Sequence, residues 1–213
     1  MQTQSPLFIS FEGGEGSGKS TQINLLSNIL KSRLCKFFIT REPGGSKGGE
    51  IIRKLLVRGN PKKWDVETEV LLMYAARRDN FIRSIKPKLQ QGYTVITDRY
   101  SDSTRIYQGL VGGVSKSKIT SIHNFSLGNF EPNLTFLLDL SVEEGLKRAK
   151  ARNDKENRFE SKGMAFHLSV RKSYLKLASD YPDRIKIIDA SGSAKEVQEK
   201  IIGFIDKYKK NYF

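Results

Sequence analysis

Short apolar runs alternate along the chain with longer segments in which apolar residues recur at helical spacing. Five runs have the length and composition of buried strands, at 7–11, 36–40, 93–97, 134–140 and 185–188. Helical patterns occupy the intervals, at 19–34, 50–58, 67–89 (broken near Pro87), from Ser141 onward, at 169–180 and at 194–208. This alternation predicts an α/β fold with a central parallel five-stranded sheet flanked by helices, in a single domain spanning 1–213.

A glycine-rich segment follows the first predicted strand. Residues 13–20, GGEGSGKS, fit the phosphate-binding pattern G-x-x-x-x-G-K-[ST], with a strand before and a helix after. Glycines let backbone N–H groups converge on phosphates, and the following helix adds its positive N-terminal end. Lys19 can reach the β- and γ-phosphates, and the Ser20 hydroxyl can ligate Mg²⁺. The predicted ATP-binding residues are Gly13, Gly14, Glu15, Gly16, Ser17, Gly18, Lys19, Ser20 and Thr21.

Asp98, Arg99 and Tyr100 follow the third predicted strand, at the edge where parallel sheets bind ligands. Asp98 is placed to complete the Mg²⁺ shell, and Arg99 is placed to bridge phosphates. The sequence has no Asn-Lys-x-Asp motif of the kind that binds guanine. The residue after Asp98 is also not the Glu that is common in hydrolytic ATPases. The pattern therefore favours a kinase whose second substrate is small.

Motifs spread over nearly the whole chain resemble those of the thymidylate kinase family. They are FEG at 11–13, TREPGG at 40–45, GEIIR at 49–53, DRY at 98–100 with Ser103, YQ at 107–108, RFE at 158–160 and IDA at 188–190. The resemblance implies a P-loop kinase fold and transfer of the γ-phosphate of ATP to dTMP, in the supply of dTTP for DNA synthesis. It also implies a homodimer.

The resemblance implies roles for several residues around the acceptor. Glu15 looks like the carboxylate that holds the 3′-hydroxyl of dTMP, an interaction in which an anion accepts a strong hydrogen bond. Arg99 resembles the residue that contacts both the dTMP phosphate and the transferring group. Arg41 and Arg53 help to form the acceptor pocket, and Tyr107 resembles the ring that packs under the deoxyribose and excludes a 2′-hydroxyl.

The base site is where the chain departs from the family pattern. Arg77 resembles the arginine that binds a thymine oxygen, and Met73 stands one turn earlier, where the family usually has a phenylalanine. Methionine can lie against a ring through its polarizable sulfur, although it cannot stack as a flat aromatic does. Thr104 stands at a position of base contact, and Ser103 and Gln108 complete the expected acceptor site.

Residues of about 148–163 form a polar, charged segment that we expect to be a short mobile lid. The P-loop has no arginine, whereas the lid offers Arg148, Arg152 and Arg158, as in bacterial members of the family. We expect Arg158 to close over the phosphates and Arg148 to lie along the adenine or α-phosphate side. Asn157 stands where an Asp is frequent. The expected catalytic residues are Lys19, Arg99, Arg158 and Glu15.

Composition leaves two further alternatives open. The formal net charge of +14 suits polyanionic nucleotides, but it also suits a basic nucleic-acid-binding protein that uses ATP as a switch. A kinase for another nucleoside monophosphate is the nearer alternative. We expect no nucleic-acid partner, because no aromatic-basic stacking motif is present. The lone Cys35, the absence of an apolar run of membrane length and an N-terminus unlike an export signal favour a cytoplasmic protein without a membrane partner.

Overall fold

A computed structural model describes residues 6–60, 62–151 and 158–212. Within these residues five strands form one sheet: β1 (Phe8–Glu12), β2 (Phe37–Arg41), β3 (Thr94–Asp98), β4 (Leu134–Asp139) and β5 (Ile185–Asp189). Their order is β2-β3-β1-β4-β5, and each neighbouring pair is parallel. The predicted parallel five-stranded sheet is confirmed.

Helices pack on both faces of this sheet. Those in the described ranges are α1 (Lys19–Ser32), α2 (Lys47–Val57), α3 (Val66–Asn80), α4 (Lys86–Gln90), α5 (Ser101–Thr104), α6 (Lys116–Leu127), α7 (Val142–Ala151), α8 (Met164–Asp180) and α9 (Ala194–Tyr212). Two π-helical segments, Phe81–Ile85 and Arg105–Leu110, continue α3 into α4 and prolong α5. Among the described helices, none has the length and apolarity that crossing a membrane requires.

Several helices differ from the pattern-based expectation for local reasons. Helix α2 begins at Lys47 rather than at residue 50, because the Ser46 hydroxyl accepts a 3.1 Å bond from the Gly49 N–H and caps the helix. The stretch 67–89 is broken before Pro87, where a π-helical segment accommodates the residue that lacks an N–H. Helices α5 and α6 were not predicted, because α5 has only four residues and the apolar residues of α6 are spaced among a majority of polar ones.

The two faces of strand β1 pack in separate parts of the hydrophobic core. Ile9 and Phe11 pack with α1 and α9, whereas Phe8 packs on the opposite face against Tyr100 at 4.8 Å between ring centroids. Because side chains alternate along a strand, Glu12 lies on the same face as Phe8. A carboxylate is thereby placed inside the protein, at the end of the central strand.

The strand register brings the predicted functional segments to one edge of the sheet. Phe11 of β1 pairs with Asp98 of β3, and Arg41 of β2 pairs with the same residue from the other side. The P-loop, Arg41 and the Asp98-Arg99 turn therefore meet at the carboxyl edge, as in other open α/β sheets.

A close backbone contact fixes the P-loop against α7. Gly16 has a positive φ of 67°, and a Cβ at this position would lie 1.9 Å from the carbonyl oxygen of Gly145. A Cβ on Gly145 would in turn lie 2.4 Å from the carbonyl oxygen of Glu15. Because neither glycine has a Cβ, the P-loop and α7 can approach each other this closely.

We expect Gly145→Ala to destabilise the protein by about 1–3 kcal/mol, because the new methyl group meets a backbone oxygen that cannot rotate away. Alanine normally favours a helix, so the matched control is Gly203→Ala in α9, where a Cβ would have no atom within 4 Å. The control gains up to about 1 kcal/mol from helix propensity. Urea unfolding of both variants measures the difference, and equal or greater stability of Gly145→Ala would contradict this account of the contact.

Candidate active site

A cavity of about 460 Å³ opens at the carboxyl edge of the sheet. Its volume lies within the range of about 300–1,000 Å³ that is typical of small-molecule sites. Its walls contain most of the predicted site residues: Glu15, Gly16, Ser17, Gly18, Lys19, Ser20, Thr21, Arg41, Arg53, Met73, Arg77, Asp98, Arg99, Ser103, Thr104, Tyr107, Gln108 and Arg148. Three predicted residues are not in its walls, namely Gly13, Gly14 and Arg158.

The P-loop contributes Lys19, the first residue of α1, to the cavity. Its ammonium group donates to the carbonyl oxygens of Gly14 at 2.9 Å and Gly13 at 3.3 Å, so these two glycines act through their backbone. Burial, together with the nearby Arg99 charge, lowers the pKa of Lys19 to about 8. A bound phosphate anion would stabilise the charged form of Lys19 against both burial and the Arg99 charge, so the site favours phosphate binding.

Ser20 and Asp98 offer oxygen atoms at the mouth of the same cavity. The Ser20 hydroxyl donates to Asp98 Oδ2 at 3.2 Å, which places two hard oxygen ligands side by side. Within the described ranges, no group of three or more His, Cys, Asp or Glu residues could hold a metal by itself. The donor set therefore fits Mg²⁺, which keeps several waters and shares its coordination with nucleotide phosphates.

Arg99 lines the same cavity as the P-loop. Its backbone has a φ of 66°, in the left-handed region that non-glycine residues seldom adopt, and this turn directs the side chain back over the P-loop. The guanidinium donates from Nη2 to Glu15 Oε1 at 2.9 Å and from Nη1 to the Gly13 carbonyl oxygen at 3.1 Å. A planar donor group is thus fixed beside the phosphate-binding loop.

Glu15 and Tyr107 form the neighbouring part of the wall. The Tyr107 hydroxyl donates to Glu15 Oε1 at 3.2 Å, and its ring lies 5.2 Å from the Arg99 guanidinium carbon. Burial opposes ionisation of Glu15, but Arg99 and Lys19 outweigh it and hold its pKa below the ordinary value. Glu15 is therefore an anionic acceptor available to a ligand hydroxyl.

Arg77 and Met73 form the far wall, one helical turn apart on α3. Arg77 donates from Nε to the buried Glu42 carboxylate at 2.6 Å and from Nη2 to Thr104 Oγ1 at 3.1 Å. Its Nη1 has no hydrogen-bond partner among the described residues. The guanidinium is held rigidly and retains a donor for a further acceptor, such as a ligand carbonyl.

The remaining predicted acceptor residues are held by contacts within the wall. Arg53 donates to the Pro43 carbonyl oxygen at 2.7 Å, and Arg41 forms an ion pair with Glu50 at 2.9 Å. The Gln108 amide donates to Glu69 Oε2 at 2.9 Å. The contacts of Arg53 and Gln108 hold these side chains in place before any ligand arrives, whereas the Arg41 pair is exposed and holds its side chain only weakly.

Two arginines of the expected lid, Arg148 and Arg158, occupy different environments. Arg148 lies in the cavity wall, with its side chain 41% exposed and paired to Glu144 at 2.9 Å. Arg152 and Asn157 lie outside the described residues. The expected lid is thus described only at its two ends.

Arg158 does not occupy the predicted position over the phosphates. Its side chain is 0% exposed and forms an ion pair with Glu69. It also donates to the carbonyl oxygens of Leu56 at 3.0 Å and Asn60 at 3.1 Å. The physical reason is that the ends of α2 and α3 offer this guanidinium a carboxylate and two carbonyls in a buried space. This structure therefore places Arg158 against Glu69 rather than over the P-loop, and its contact with bound phosphates stays a prediction.

Several cavity residues had no role in the sequence-based interpretation. They are Glu42, Pro43, Val57, Tyr100, Phe159 and Glu160. The motifs at 40–45, 98–100 and 158–160 include five of them and are the signal that could have identified them. Behind the wall, Tyr174 contacts Arg99, and Glu12 accepts from the Tyr174 hydroxyl. In the sequence, Glu12 was marked by the motif at 11–13 and by its charge at the end of an apolar run, whereas Tyr174 had no signal.

Comparison with known proteins agrees with this geometry. The thymidylate kinase family model matches residues 11–201. A thymidylate kinase of Caulobacter vibrioides is 51% identical over 91% of this chain and 93% of its own, and one of Jannaschia sp. is 47% identical over 92% and 94%. The crystal structure of thymidylate kinase from Ehrlichia chaffeensis superposes with a TM-score of 0.76 at 31% identity, covering 95% of this chain and 99% of that one. These matches confirm the resemblance that the motifs indicate, and the chain belongs to the thymidylate kinase family.

Proposed function

We propose that the chain transfers the γ-phosphate of ATP to dTMP, giving dTDP and ADP. The observation that carries this proposal is that a phosphate-donor site and an acceptor wall share one cavity of about 460 Å³. Lys19 and Ser20 lie on the donor side, and Met73 and Arg77 lie on the acceptor side. Arg99 stands between them, where the two phosphates would meet.

The reaction requires little covalent assistance from the protein. An oxygen of the dTMP phosphate attacks the γ-phosphorus, and the bond to the β,γ-bridging oxygen breaks, so that ADP leaves. Arg99 binds the acceptor phosphate and the transferring group, and Lys19 offsets negative charge on the donor side. Mg²⁺, held by Ser20 and by Asp98 through water, would neutralise charge on the donor phosphates when bound.

The sugar and the base are assigned to separate groups of the wall. Glu15, anionic in this site, accepts the hydrogen bond of the 3′-hydroxyl, and the Tyr107 ring lies where a 2′-hydroxyl would project. Arg77 reads a thymine oxygen with its remaining donor, while Met73 packs against the ring. Arg148, at the described start of the lid, lies along the adenine or α-phosphate side of ATP.

The proposal extends to assembly and location. Exposed apolar side chains lie on three helices that pack side by side, namely Ile51 on α2, Leu71 on α3 and Phe125 on α6. A second copy of the chain would cover them, which supports a homodimer. Because dTMP and ATP are nucleotides of the cytoplasm, we place the protein there, in the supply of dTTP.

The acceptor is tested by ADP release with ATP and Mg²⁺ in the presence of each nucleoside monophosphate in turn. We expect dTMP to give the highest kcat/KM, with dUMP lower by about 10–200-fold, the range that a methyl group in an apolar pocket supports. UMP, dCMP, AMP and GMP serve as further comparisons. Stimulation by none of them would contradict the kinase assignment and favour the basic nucleic-acid-binding alternative.

Tyr107 is expected to select the deoxyribose. Tyr107→Ala removes the ring and should lower the preference for dTMP over ribothymidine monophosphate by about tenfold or more, since space for the 2′-hydroxyl appears. Tyr107→Phe keeps the ring, loses one hydrogen bond to Glu15 and should change kcat by less than about tenfold. Competition assays with the two monophosphates measure the effect. Unchanged discrimination in the Ala variant would exclude Tyr107 as the selecting residue.

We expect Arg158 to contribute mainly to the free energy of unfolding. Arg158→Met leaves Glu69 buried without its ion-pair partner and should cost about 3–5 kcal/mol in urea unfolding. Arg158→Met combined with Glu69→Gln should regain most of that loss, because the uncompensated charge is gone. A catalytic lid arginine would behave differently, with kcat falling by about 10³-fold at unchanged stability, and that result would restore the original expectation.

A further inference from the structure

Behind Arg99 lies a buried carboxylate that the mechanism above does not use. Glu12 ends β1, is 1% exposed and does not line the cavity. Its Oε1 accepts the Tyr100 N–H at 2.7 Å. Its Oε2 accepts the hydroxyl groups of Ser103 at 2.6 Å and Tyr174 at 2.7 Å. A buried carboxylate that accepts three hydrogen bonds is fixed in one orientation.

The two hydroxyl groups connect Glu12 to the guanidinium. Arg99 Nη1 donates to Ser103 Oγ at 3.1 Å and to the Tyr174 hydroxyl oxygen at 3.3 Å. Each hydroxyl has a single proton, and when that proton is given to Glu12 only lone pairs remain to face Arg99. The carboxylate therefore sets the direction of both hydroxyl groups, so that each accepts from the arginine.

Glu12 also holds the backbone turn that carries Arg99. The left-handed conformation at this residue, with φ of 66°, is disfavoured for any side chain with a Cβ. Hydrogen bonds on both sides maintain it, from the Arg99 N–H to the Phe11 carbonyl oxygen at 2.9 Å and from the Tyr100 N–H to Glu12. The same carboxylate thus orients the side chain of Arg99 and anchors its main chain.

We propose that Glu12 is a positioning residue, which holds the guanidinium of Arg99 at the phosphate-transfer site through two hydroxyl groups and one backbone contact. This inference rests on the proposed function, because it assigns Arg99 to the transferring phosphates. Glu12 itself touches neither substrate.

The electrostatics of the pair agree with this geometry. Burial raises the pKa of Glu12, and the nearby Asp102 carboxylate adds to that effect, whereas the Arg99 charge and the two hydroxyl donors oppose it. Ionisation of Glu12 thus depends on Arg99, and the orientation of Arg99 depends on Glu12. The two residues form one coupled unit.

Glu12→Gln is the sharpest test, because it preserves the size of the side chain while it removes the negative charge beside Arg99 and replaces one acceptor oxygen with a donor. The Tyr100 N–H requires an oxygen, so the new amide NH₂ takes the place of Oε2 and donates to Ser103 and Tyr174. The hydroxyl protons of Ser103 and Tyr174 must then point away from this amide and toward Arg99. Donor groups would then face the N–H groups of the guanidinium, which would displace it. We expect kcat to fall by about a hundredfold and the KM for dTMP to rise, with the KM for ATP unchanged.

A double-mutant cycle separates positioning from general loss of stability. Glu12→Gln should have no further effect on kcat in the Arg99→Ala background, because the residue it positions is gone. Asp102→Asn is the matched control, since this carboxylate is also 1% exposed and accepts from Arg184 at 2.7 Å but does not contact Arg99. It should lower Tm and leave kcat near that of the unaltered enzyme.

A second variant keeps the inference testable if Glu12→Gln does not fold. Ser103→Ala combined with Tyr174→Phe removes both hydroxyl groups while Glu12 remains, and kcat should fall with the same pattern of KM values. Additive effects in the cycle, an equal loss of kcat in Asp102→Asn, or unchanged kcat without the two hydroxyls would each overturn the positioning role. Absence of dTMP-stimulated ADP release in the unaltered enzyme would instead reject the proposed function.

Discussion

The guanidinium of Arg99 is mostly buried, pairs with the Glu15 carboxylate and is linked to the Glu12 carboxylate through two hydroxyl groups, and the arrangement of the cavity depends on these interactions. Removal of an arginine from water is costly unless its charge and its donors are compensated. Although burial opposes the charge, Tyr107 and Glu15 contribute to holding the pKa of Arg99 well above its ordinary value. Glu15 contacts it directly, and Glu12 acts through the hydroxyl groups. The pairing of Phe11 with Asp98 brings these segments together, so the strand register determines the electrostatics of the site.

The cavity is organised by internal pairs that a bound nucleotide would rearrange. Lys19 donates to P-loop carbonyls, Arg99 pairs with Glu15, and Arg77 pairs with Glu42. These contacts keep like charges from repelling one another in a protein of net charge +14, and they hold the donors near the positions where phosphate and base would need them. Buried ion pairs add little net stability because of desolvation, so their main effect here is on placement.

The sequence predicts the parts of this site that are encoded locally. The P-loop needs only a strand, a glycine-rich segment and a helix in succession, and the Asp98-Arg99 turn needs only a strand end. The direction of Arg158 could not be predicted in this way, because it depends on Glu69, which lies 89 residues away. The same limit applies to Glu12, whose hydroxyl partners are 91 and 162 residues distant. Motifs identify the residues, whereas tertiary packing decides which of them face the substrates.

The two described ends of the expected lid make contacts with different elements of the fold. At one end Arg148 lies on α7, and this helix contacts the P-loop through Gly145 and Glu15 on the donor side. At the other end Arg158 is bound between α2 and α3, where Glu69 also accepts from Gln108 of the acceptor wall. Because the Arg158–Glu69 pair is buried and the Arg148–Glu144 pair is exposed, separating the two charges costs less at Arg148 than at Arg158.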